Sequence, residues 1–171
     1  MKVSLKLRTA ESAAIYFERA QQEAIRRMLP QKAKTLAEAL AEFAKTQRPG
    51  ASSFGRTIYA DDRYVGDVWV YAIDCNDTPN AMLSYCVFDQ SVWGRGIATE
   101  AVHQFLAEAC VRFSLSTVGA FTYAANTASI RVLEKCGFVL EEEFTEDGVV
   151  SRYYQFENDF QKSAAVCQQV P

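Results

Sequence analysis

Metal ligands are scarce in this sequence. It contains one histidine, and none of its five cysteines forms a Cys-x-x-Cys pair. Because a structural zinc site takes Cys and His ligands at short, regular spacing, we expect no metal. The odd number of cysteines and the absence of an apolar secretory segment after Met1 favour a reducing compartment. We therefore expect a cytoplasmic protein.

A strongly basic surface and a long apolar run are also lacking. The formal net charge is -3, and Arg26-Arg27 is the only adjacent pair of basic residues. Proteins that bind nucleic acid generally carry a basic field, and a membrane-spanning helix takes about 20 apolar residues. The sequence thus predicts neither nucleic acid nor a membrane as a partner.

The composition that remains is typical of one globular domain. The chain has 171 residues, of which 49% are hydrophobic and 23% charged, and a chain of this size can bury a single core. Residues beyond Asn158 show no periodicity. We expect a single domain over residues 1–158 and a loose tail over residues 159–171.

The N-terminal part of the chain shows one strand pattern followed by two helix patterns. Alternation over Val3–Leu7 predicts a strand. Apolar residues spaced by three and four then predict one helix that Thr9 caps, that continues to Met28 and that ends at Pro30. A capping box that starts at Thr35 predicts the second helix.

Strand patterns dominate the rest of the chain. Segments rich in β-branched and aromatic residues predict six further strands: Thr57–Tyr59, Val65–Ile73, Met82–Phe88, Gly119–Tyr123, Val139–Phe144 and Val149–Phe156. A long amphipathic helix reaching from Ala98 to Phe113 and a short one at Thr127–Lys135 lie among them. The order βααβββαβαββ contains a strand–helix–strand unit, which implies a parallel pair. We expect an α+β fold with a mixed, mostly antiparallel sheet and about four helices.

A loop with two glycines precedes the long helix. In Trp93–Thr99 the glycines allow the backbone to approach a ligand, and the helix N-terminus adds unpaired N–H groups and the positive end of its dipole. These features suit a phosphate, although a tight turn followed by a helix cap would use the same residues. A Walker motif is absent. A dinucleotide motif would need glycine in place of Thr99 and an acidic residue after Tyr123.

Two segments resemble the GNAT superfamily of N-acetyltransferases. The family's pyrophosphate signature is Q/R-x-x-G-x-G/A; Gly96-Ile97-Ala98 matches its second half, while Trp93 replaces Gln or Arg. Further along the chain, Asn126–Phe138 resembles the N-x-x-S…E-K-x-G-F stretch of the subgroup that acetylates N-terminal amines of ribosomal proteins. The resemblance covers roughly residues 3–157.

The resemblance implies a cleft for acetyl-CoA, the co-substrate of this family. The strands Met82–Phe88 and Gly119–Tyr123 are expected to separate, so that pantetheine lies between them and a main-chain N–H polarises the thioester carbonyl. The diphosphate is expected on the main chain of the glycine loop. The residues that the resemblance assigns to cofactor binding are Cys86, Val87, Phe88, Trp93, Gly94, Arg95, Gly96, Ile97, Ala98, Thr99, Asn126 and Ser129.

Ser129 is the candidate catalytic residue. Many members of the family assist the leaving thiolate with a tyrosine seven residues after the motif asparagine, but here that position is Leu133. The resemblance therefore assigns this role to Ser129, and support of the helix N-terminus is the alternative. No general base stands out. An α-amine, with a pKa of about 7.7–8.0, is deprotonated far more often than a lysine near 10.4, so water relay would serve the α-amine better.

The acceptor is expected to be a primary amine, either a protein N-terminus or a small molecule. Five acidic residues cluster at the last predicted hairpin: Glu141, Glu142, Glu143, Glu146 and Asp147. They indicate either a solvated sheet edge or a site for a cationic acceptor. The runner-up function is a non-catalytic acyl-CoA-binding or sensor module, because Leu133 and the missing base also suit a protein without chemistry. Both a monomer and a homodimer fit the sequence.

Overall fold

The computed structural model describes residues 1–159, and over that range the chain forms seven strands and five α-helices. In chain order these are β1 (Val3–Leu7), α1 (Ala10–Arg19), α2 (Glu23–Arg26), α3 (Leu36–Thr46), β2 (Phe54–Ala60), β3 (Arg63–Asp74), β4 (Asn80–Val87), α4 (Ile97–Phe113), β5 (Thr117–Tyr123), α5 (Thr127–Lys135), β6 (Val139–Glu146) and β7 (Val149–Glu157). Every predicted strand is present, and most are longer than predicted. The predicted tail at 159–171 lies, apart from its first residue, outside the described residues.

The strands form one mixed sheet in the order β1-β2-β3-β4-β5-β7-β6. All neighbours are antiparallel except β4 and β5, which run parallel. Their pairing is short, because it joins only Asn80 to Thr117, Ala81 to Val118 and Met82 to Gly119. Beyond Met82 the two strands separate. The predicted α+β fold with a splayed parallel pair is confirmed.

Side chains crowd the point where β4 and β5 separate. A Cβ atom on Gly119 would lie 2.6 Å from the Tyr153 hydroxyl and 2.8 Å from the Met82 sulfur. Real Cβ atoms do not approach other atoms so closely, so only glycine fits here without a shift of its neighbours. Tyr153 and Met82 therefore fill the space at the last strand pair, and the gap between the strands opens next to them.

The long helix α4 covers one face of the sheet. Its residues Val102, Phe105 and Ala109 are fully buried and belong to the same hydrophobic cluster as Ile58 and Leu83 of the sheet. Burial of this apolar face, which spacing alone predicts, accounts for the stability of a helix that starts in a glycine loop.

The helices α1 and α2 pack on the opposite face. Tyr16, Ala20 and Ile25 form a second cluster with Cys86 and Phe88 near the end of β4. Neighbouring side chains of a strand point to opposite faces, so β4 carries core residues on both sides. This places α2 at one end of the gap between β4 and β5.

The single helix predicted up to Met28 is wrong, because the chain turns between α1 and α2. The side-chain amide of Gln22 donates hydrogen bonds to the main-chain oxygens of Arg19 and Phe88, at 2.9 and 3.1 Å. Ala20 is fully buried at this turn. Helical spacing of apolar residues continues across the turn, so the sequence pattern could not reveal it.

The two predicted helix caps form, and left-handed residues close two of the hairpin turns. Thr9 and Thr35 accept hydrogen bonds from main-chain N–H groups three residues later, at 3.1 and 3.2 Å. The β2–β3 turn has two aspartates with positive φ, Asp61 at 46° and Asp62 at 67°. Gly148, at φ 78°, completes the β6–β7 turn. Two adjacent residues with positive φ form the type I′ turn that matches strand twist.

Candidate active site

A cleft of about 590 Å³ occupies the gap between β4 and β5. Its walls come from β4, the loop before α4, β5 and α5, and residues of α2 close one end. Ten of the predicted cofactor-binding residues line it: Cys86, Val87, Trp93, Gly94, Gly96, Ile97, Ala98, Thr99, Asn126 and Ser129. The fold therefore brings two distant sequence segments into one site.

Phe88 and Arg95 do not line the cleft. The Phe88 N–H donates to the main-chain oxygen of Val65 at 2.9 Å, and its carbonyl accepts from Gln22 at 3.1 Å. The main chain of Phe88 is thus engaged in holding β3 and the α1–α2 turn. Arg95 is exposed, and its guanidinium lies near the sulfur of Met1.

The loop before α4 has open space at both of its glycines. Gly94 and Gly96 have φ of 73° and 78°, and a Cβ at either position would meet nothing within 4 Å. Packing against other protein atoms therefore does not require glycine. The left-handed backbone favours it, and the empty space leaves the main chain accessible to a ligand.

The N-terminus of α4 has no side-chain cap. Gly96 occupies the N-cap position and provides no side-chain hydrogen bond. Within residues 1–159, no protein acceptor bonds to the first main-chain N–H groups of the helix, at Ile97, Ala98 and Thr99. A helix of 17 residues adds the positive end of its dipole at this point. These are the properties of an anion-binding site.

Trp93 connects this loop to the end of β4. Its indole N–H donates to the main-chain oxygen of Val87 at 2.7 Å, and the residue is 47% exposed. The main-chain oxygen of Val87, one of the predicted cofactor-binding residues, thus already has one partner. A carbonyl oxygen has two lone pairs, so it can still accept a second hydrogen bond.

Ser129 lies opposite a tyrosine that the sequence analysis passed over. The hydroxyls of Ser129 and Tyr85 are 2.8 Å apart, and the Tyr85 hydroxyl is also 3.1 Å from the main-chain oxygen of Ser129. Burial raises the pKa of Tyr85 above its ordinary value, so the hydroxyl keeps its proton. Nothing in the sequence joins a residue of β4 to one of α5, and only the folded chain reveals this pair.

On α5, Ser129 and not Leu133 can offer a side-chain hydrogen bond to a ligand in the cleft. Asn126 caps the helix by accepting the Ser129 N–H at 3.1 Å. Leu133, at the position to which the family resemblance assigns a tyrosine, is 1% exposed and belongs to the main hydrophobic core. It offers no hydrogen bond to a leaving group.

Two cations in the cleft wall were also missed. Arg131 and Lys135 lie four residues apart on α5, and both are exposed and line the cleft. Residues at this spacing share one helix face. The sequence does carry a signal for them, since both side chains follow Ser129 on the same predicted helix.

A buried ion pair lies next to the cleft rather than in it. Asp67 of β3 is fully buried and is the strand partner of Cys86. Its carboxylate lies 3.0 Å from Nε of Arg8 and accepts a hydrogen bond from Tyr64 at 2.7 Å. Burial raises the pKa of Asp67 to about 6, although Arg8 and the Tyr64 hydrogen bond act in the opposite direction.

The acidic hairpin divides its charges between the two faces of the sheet. Phe121 of β5 pairs with Tyr153 of β7, which pairs with Glu142 of β6, so these three side chains form one row. Glu143 points to the other face and forms an ion pair with Arg152 at 2.7 Å. Two neighbouring residues of the predicted acidic cluster, Glu142 and Glu143, therefore lie in different environments.

Phe121 joins this row to the cleft. It lines the cleft, is 56% exposed, and its ring centre lies 5.1 Å from that of Tyr153 and 6.0 Å from that of Phe144. An aromatic cluster with one exposed ring, that of Phe121, and one carboxylate, that of Glu142, therefore borders the gap between the strands.

Residues 1–159 contain no group of three or more His, Cys, Asp or Glu arranged to hold a metal ion. In the same part of the chain, no helix combines the length and the apolar character needed to cross a bilayer.

Residues 4–139 match the family model described as the acetyltransferase (GNAT) domain. This chain belongs to the GNAT acetyltransferase family. The predicted class, an acetyl-CoA-dependent acetyltransferase, is confirmed at the level of the family. The probable N-acetyltransferase YjcK of Bacillus subtilis (strain 168) is 35% identical over 85 residues, which is 50% of this chain. The matched stretch spans 46% of that protein's length.

Solved structures share the fold over almost the whole chain. Aminoglycoside acetyltransferase AAC(6')-Ib in complex with coenzyme A has a TM-score of 0.77 at 17% identity, with coverage of 95% of this chain and 99% of that one. Spermidine N-acetyltransferase from Vibrio cholerae, with CoA and spermine, has a TM-score of 0.80 at 13% identity, with coverage of 91% and 95%. At these identities the likeness shows the fold.

Proposed function

We propose that this chain transfers the acetyl group of acetyl-CoA to a primary amine. The observation that carries the proposal is the cleft between β4 and β5. An uncapped helix N-terminus lies in its wall, and the hydroxyl pair of Tyr85 and Ser129 lies in the same cleft. Acetyl-CoA carries a diphosphate and a thioester. The helix N-terminus would bind the diphosphate, and a hydroxyl would donate a hydrogen bond to the sulfur of the thioester.

The diphosphate is proposed to bind the main-chain N–H groups of Gly96–Thr99. The open space at Gly94 and Gly96 supports this assignment, as does the missing side-chain cap. Arg131 and Lys135 add positive charge on the neighbouring helix and would attract the phosphates of the same ligand. Pantetheine would then follow Cys86 and Val87 of β4 towards Ser129.

The transfer needs little from the protein besides orientation and hydrogen bonds. The amine nitrogen forms a bond to the thioester carbonyl carbon, the C–S bond breaks with its electron pair on sulfur, and the amine proton passes to water. A main-chain N–H of β4 near Cys86 would polarise the carbonyl, and the Ser129 hydroxyl would donate to the departing sulfur. Asp67 is fully buried and does not line the cleft, so we assign it no role as a base.

The acceptor is proposed to be a cationic molecule with one amine of low pKa. The row of Phe121, Tyr153 and Glu142 supports this, because aromatic faces and a carboxylate both attract cations. Similar structures are named for aminoglycoside and spermidine acetylation, and both kinds of acceptor carry several amines. An α-amine with a pKa of about 7.7–8.0 would also be free to react without a base.

The test is turnover of acetyl-CoA against a panel of amines, with thiol release as the readout. The panel should contain a peptide with a free N-terminus, a polyamine, an aminoglycoside and an anionic amino acid. Thiol release that depends on a cationic amine supports the proposal. The buried Leu133 favours a second candidate, an acyl-CoA sensor, and that candidate gains support if acetyl-CoA binds but no amine is acetylated.

A further inference from the structure

Tyr85 and Ser129 reach the cleft from opposite walls. Tyr85 belongs to β4 and Ser129 to the first turn of α5, and their hydroxyl oxygens are 2.8 Å apart. Both residues line the cleft at the splayed strands. The contact is thus a bridge across the site and not a local feature of one element.

The protons of the two hydroxyls allow two arrangements. The Tyr85 hydroxyl carries one proton, and it has two acceptors within reach, Ser129 Oγ at 2.8 Å and the Ser129 main-chain oxygen at 3.1 Å. If the proton goes to the main-chain oxygen, the serine proton is used to bond back to the tyrosine. If it goes to Oγ, which is the nearer oxygen, the serine proton is free to point into the cleft.

A negative charge in the cleft decides between these arrangements. When Tyr85 donates to Oγ, the serine proton can be donated to a thiolate near Ser129 while the contact between the two hydroxyls is kept. Hydrogen bonds to charged acceptors are stronger than neutral ones, so a departing thiolate favours that arrangement. The Asn126 cap holds the main chain of Ser129, so the direction of its hydroxyl is set by the side-chain torsions.

We propose that Tyr85 is a positioning residue that donates a hydrogen bond to Ser129 Oγ and so holds the Ser129 hydroxyl as a donor to the sulfur of CoA. The proposal rests on the acetyl transfer proposed above. The position on α5 to which the family resemblance assigns an assisting tyrosine is here the buried Leu133. A tyrosine from the opposite wall thus supports the serine that takes its place.

Tyr85 does not give up its proton in this scheme. Burial raises its pKa above the ordinary value, whereas a thiol ionises near ~8.5. Transfer of the proton from the tyrosine to the thiolate would therefore run uphill. The contribution of Tyr85 is to orient the serine hydroxyl and to strengthen it as a donor through a chain of two hydrogen bonds.

The first experiment measures the pKa of the CoA thiol when CoA is bound, from the ultraviolet absorbance of the thiolate in protein–CoA minus protein difference spectra. In the wild type this pKa should lie about one unit below that of free CoA measured in the same buffer, because a donor stabilises the thiolate. Ser129→Ala should return it to the value of free CoA, and Tyr85→Phe should return it part of the way. Tyr59→Phe is the matched control, since Tyr59 lies on β2 away from the cleft.

The second experiment is a double-mutant cycle on kcat. Loss of one neutral hydrogen bond predicts a decrease of about 3- to 10-fold for Tyr85→Phe, with the KM for acetyl-CoA nearly unchanged. In the Ser129→Ala background the same change should have no further effect, because Tyr85 acts only through Ser129. Ser129→Thr, which keeps a hydroxyl, should retain the dependence on Tyr85. Tyr85→Met serves as a second variant if Tyr85→Phe does not fold.

Two results would overturn the proposal. One is an equal thiol pKa in wild type and Tyr85→Phe; the other is an equal loss of kcat for Tyr85→Phe with and without Ser129. In both cases CoA still binds, and the proposed function stands. If CoA does not bind to the wild type, the proposed function itself fails and this proposal fails with it.

Discussion

The indole N–H of Trp93 donates to the main-chain oxygen of Val87 at 2.7 Å, which joins the anion-binding loop to the last residue of β4. The pyrophosphate signature that this loop resembles has glutamine or arginine at this point. The contact shows a use for the tryptophan that needs no charge, because it fixes the spacing between the loop that would hold the diphosphate and the strand that would hold pantetheine.

Trp93 should report cofactor binding by fluorescence. The sequence has two tryptophans, so Trp69→Phe leaves Trp93 as the only one. It is 47% exposed in the cleft wall, and CoA bound beside it should exclude water and shift its emission. If saturating CoA leaves the emission of the Trp69→Phe protein unchanged, CoA does not lie along this wall.

Gly96→Val should abolish the thermal stabilisation that acetyl-CoA gives. A ligand at 100 times its Kd stabilises the native state by about 2.7 kcal/mol, and a side chain at Gly96 would occupy the space above the helix N-terminus. Gly50→Val is the matched control, because Gly50 also has positive φ, 73°, and open space around it. Both variants should lose intrinsic stability, but only Gly96→Val should lose the response to acetyl-CoA. Normal stabilisation of Gly96→Val would place the phosphates elsewhere.

Glu142 and Glu143 should differ in their effect on the acceptor. Glu142 shares a face with Tyr153 and Phe121, whereas Glu143 lies on the other face in an ion pair with Arg152. Glu142→Gln should raise the KM for a cationic amine and weaken its dependence on salt, with kcat nearly unchanged. Glu143→Gln should leave both parameters as they are. Equal behaviour of the two variants would reduce the hairpin to a solvated edge.

The ionisation of Asp67 should make the protein less stable as pH rises from about 4 to about 6. Burial raises its pKa in the folded chain to about 6, from an ordinary 3.8. The folded state therefore binds this proton more tightly than the unfolded state, and the advantage is present at low pH and lost above the folded pKa. The difference in pKa corresponds to roughly 3 kcal/mol.

Denaturant unfolding of wild type and Asp67→Asn at several pH values tests this. Asparagine does not titrate, so the free energy of unfolding of the wild type, relative to the variant, should fall as pH rises through that interval. A constant difference, or one that increases with pH, would show that Arg8 holds Asp67 ionised at all these values.

Much of the fold was predictable because its signals are local. Alternation, helix spacing and turn residues identified all seven strands and the caps at Thr9 and Thr35. The break between α1 and α2 was not predictable, since it depends on contacts of Gln22 with Phe88, 66 residues away. Tertiary contacts of this kind leave the local pattern unchanged.

The candidate site also combines residues that the sequence indicates with residues that only tertiary contacts reveal. The glycine loop and Ser129 each belong to a short continuous stretch of sequence, Trp93–Thr99 and Asn126–Phe138. A resemblance to the family suffices to find both stretches. Tyr85 becomes part of the site only when β4 and α5 face each other across the cleft. Alternation along a strand already places Glu142 and Glu143 on opposite faces. That Glu142 joins the row of Tyr153 and Phe121 depends on strand pairing and on a register shift in β6, which the acidic cluster in the sequence does not show.

The most direct test of acetyl transfer in this cleft compares two quantities in one reaction, the CoA thiol released and the acetylated amine detected by mass spectrometry. With a cationic amine as acceptor, wild type and Gly50→Val should release one thiol for each acetylated amine, and the rate should rise with pH up to the pKa of that amine. Gly96→Val should give neither product. Acetyl-CoA that binds to the wild type but is not consumed with any amine would contradict the account and leave an acyl-CoA-binding module in its place.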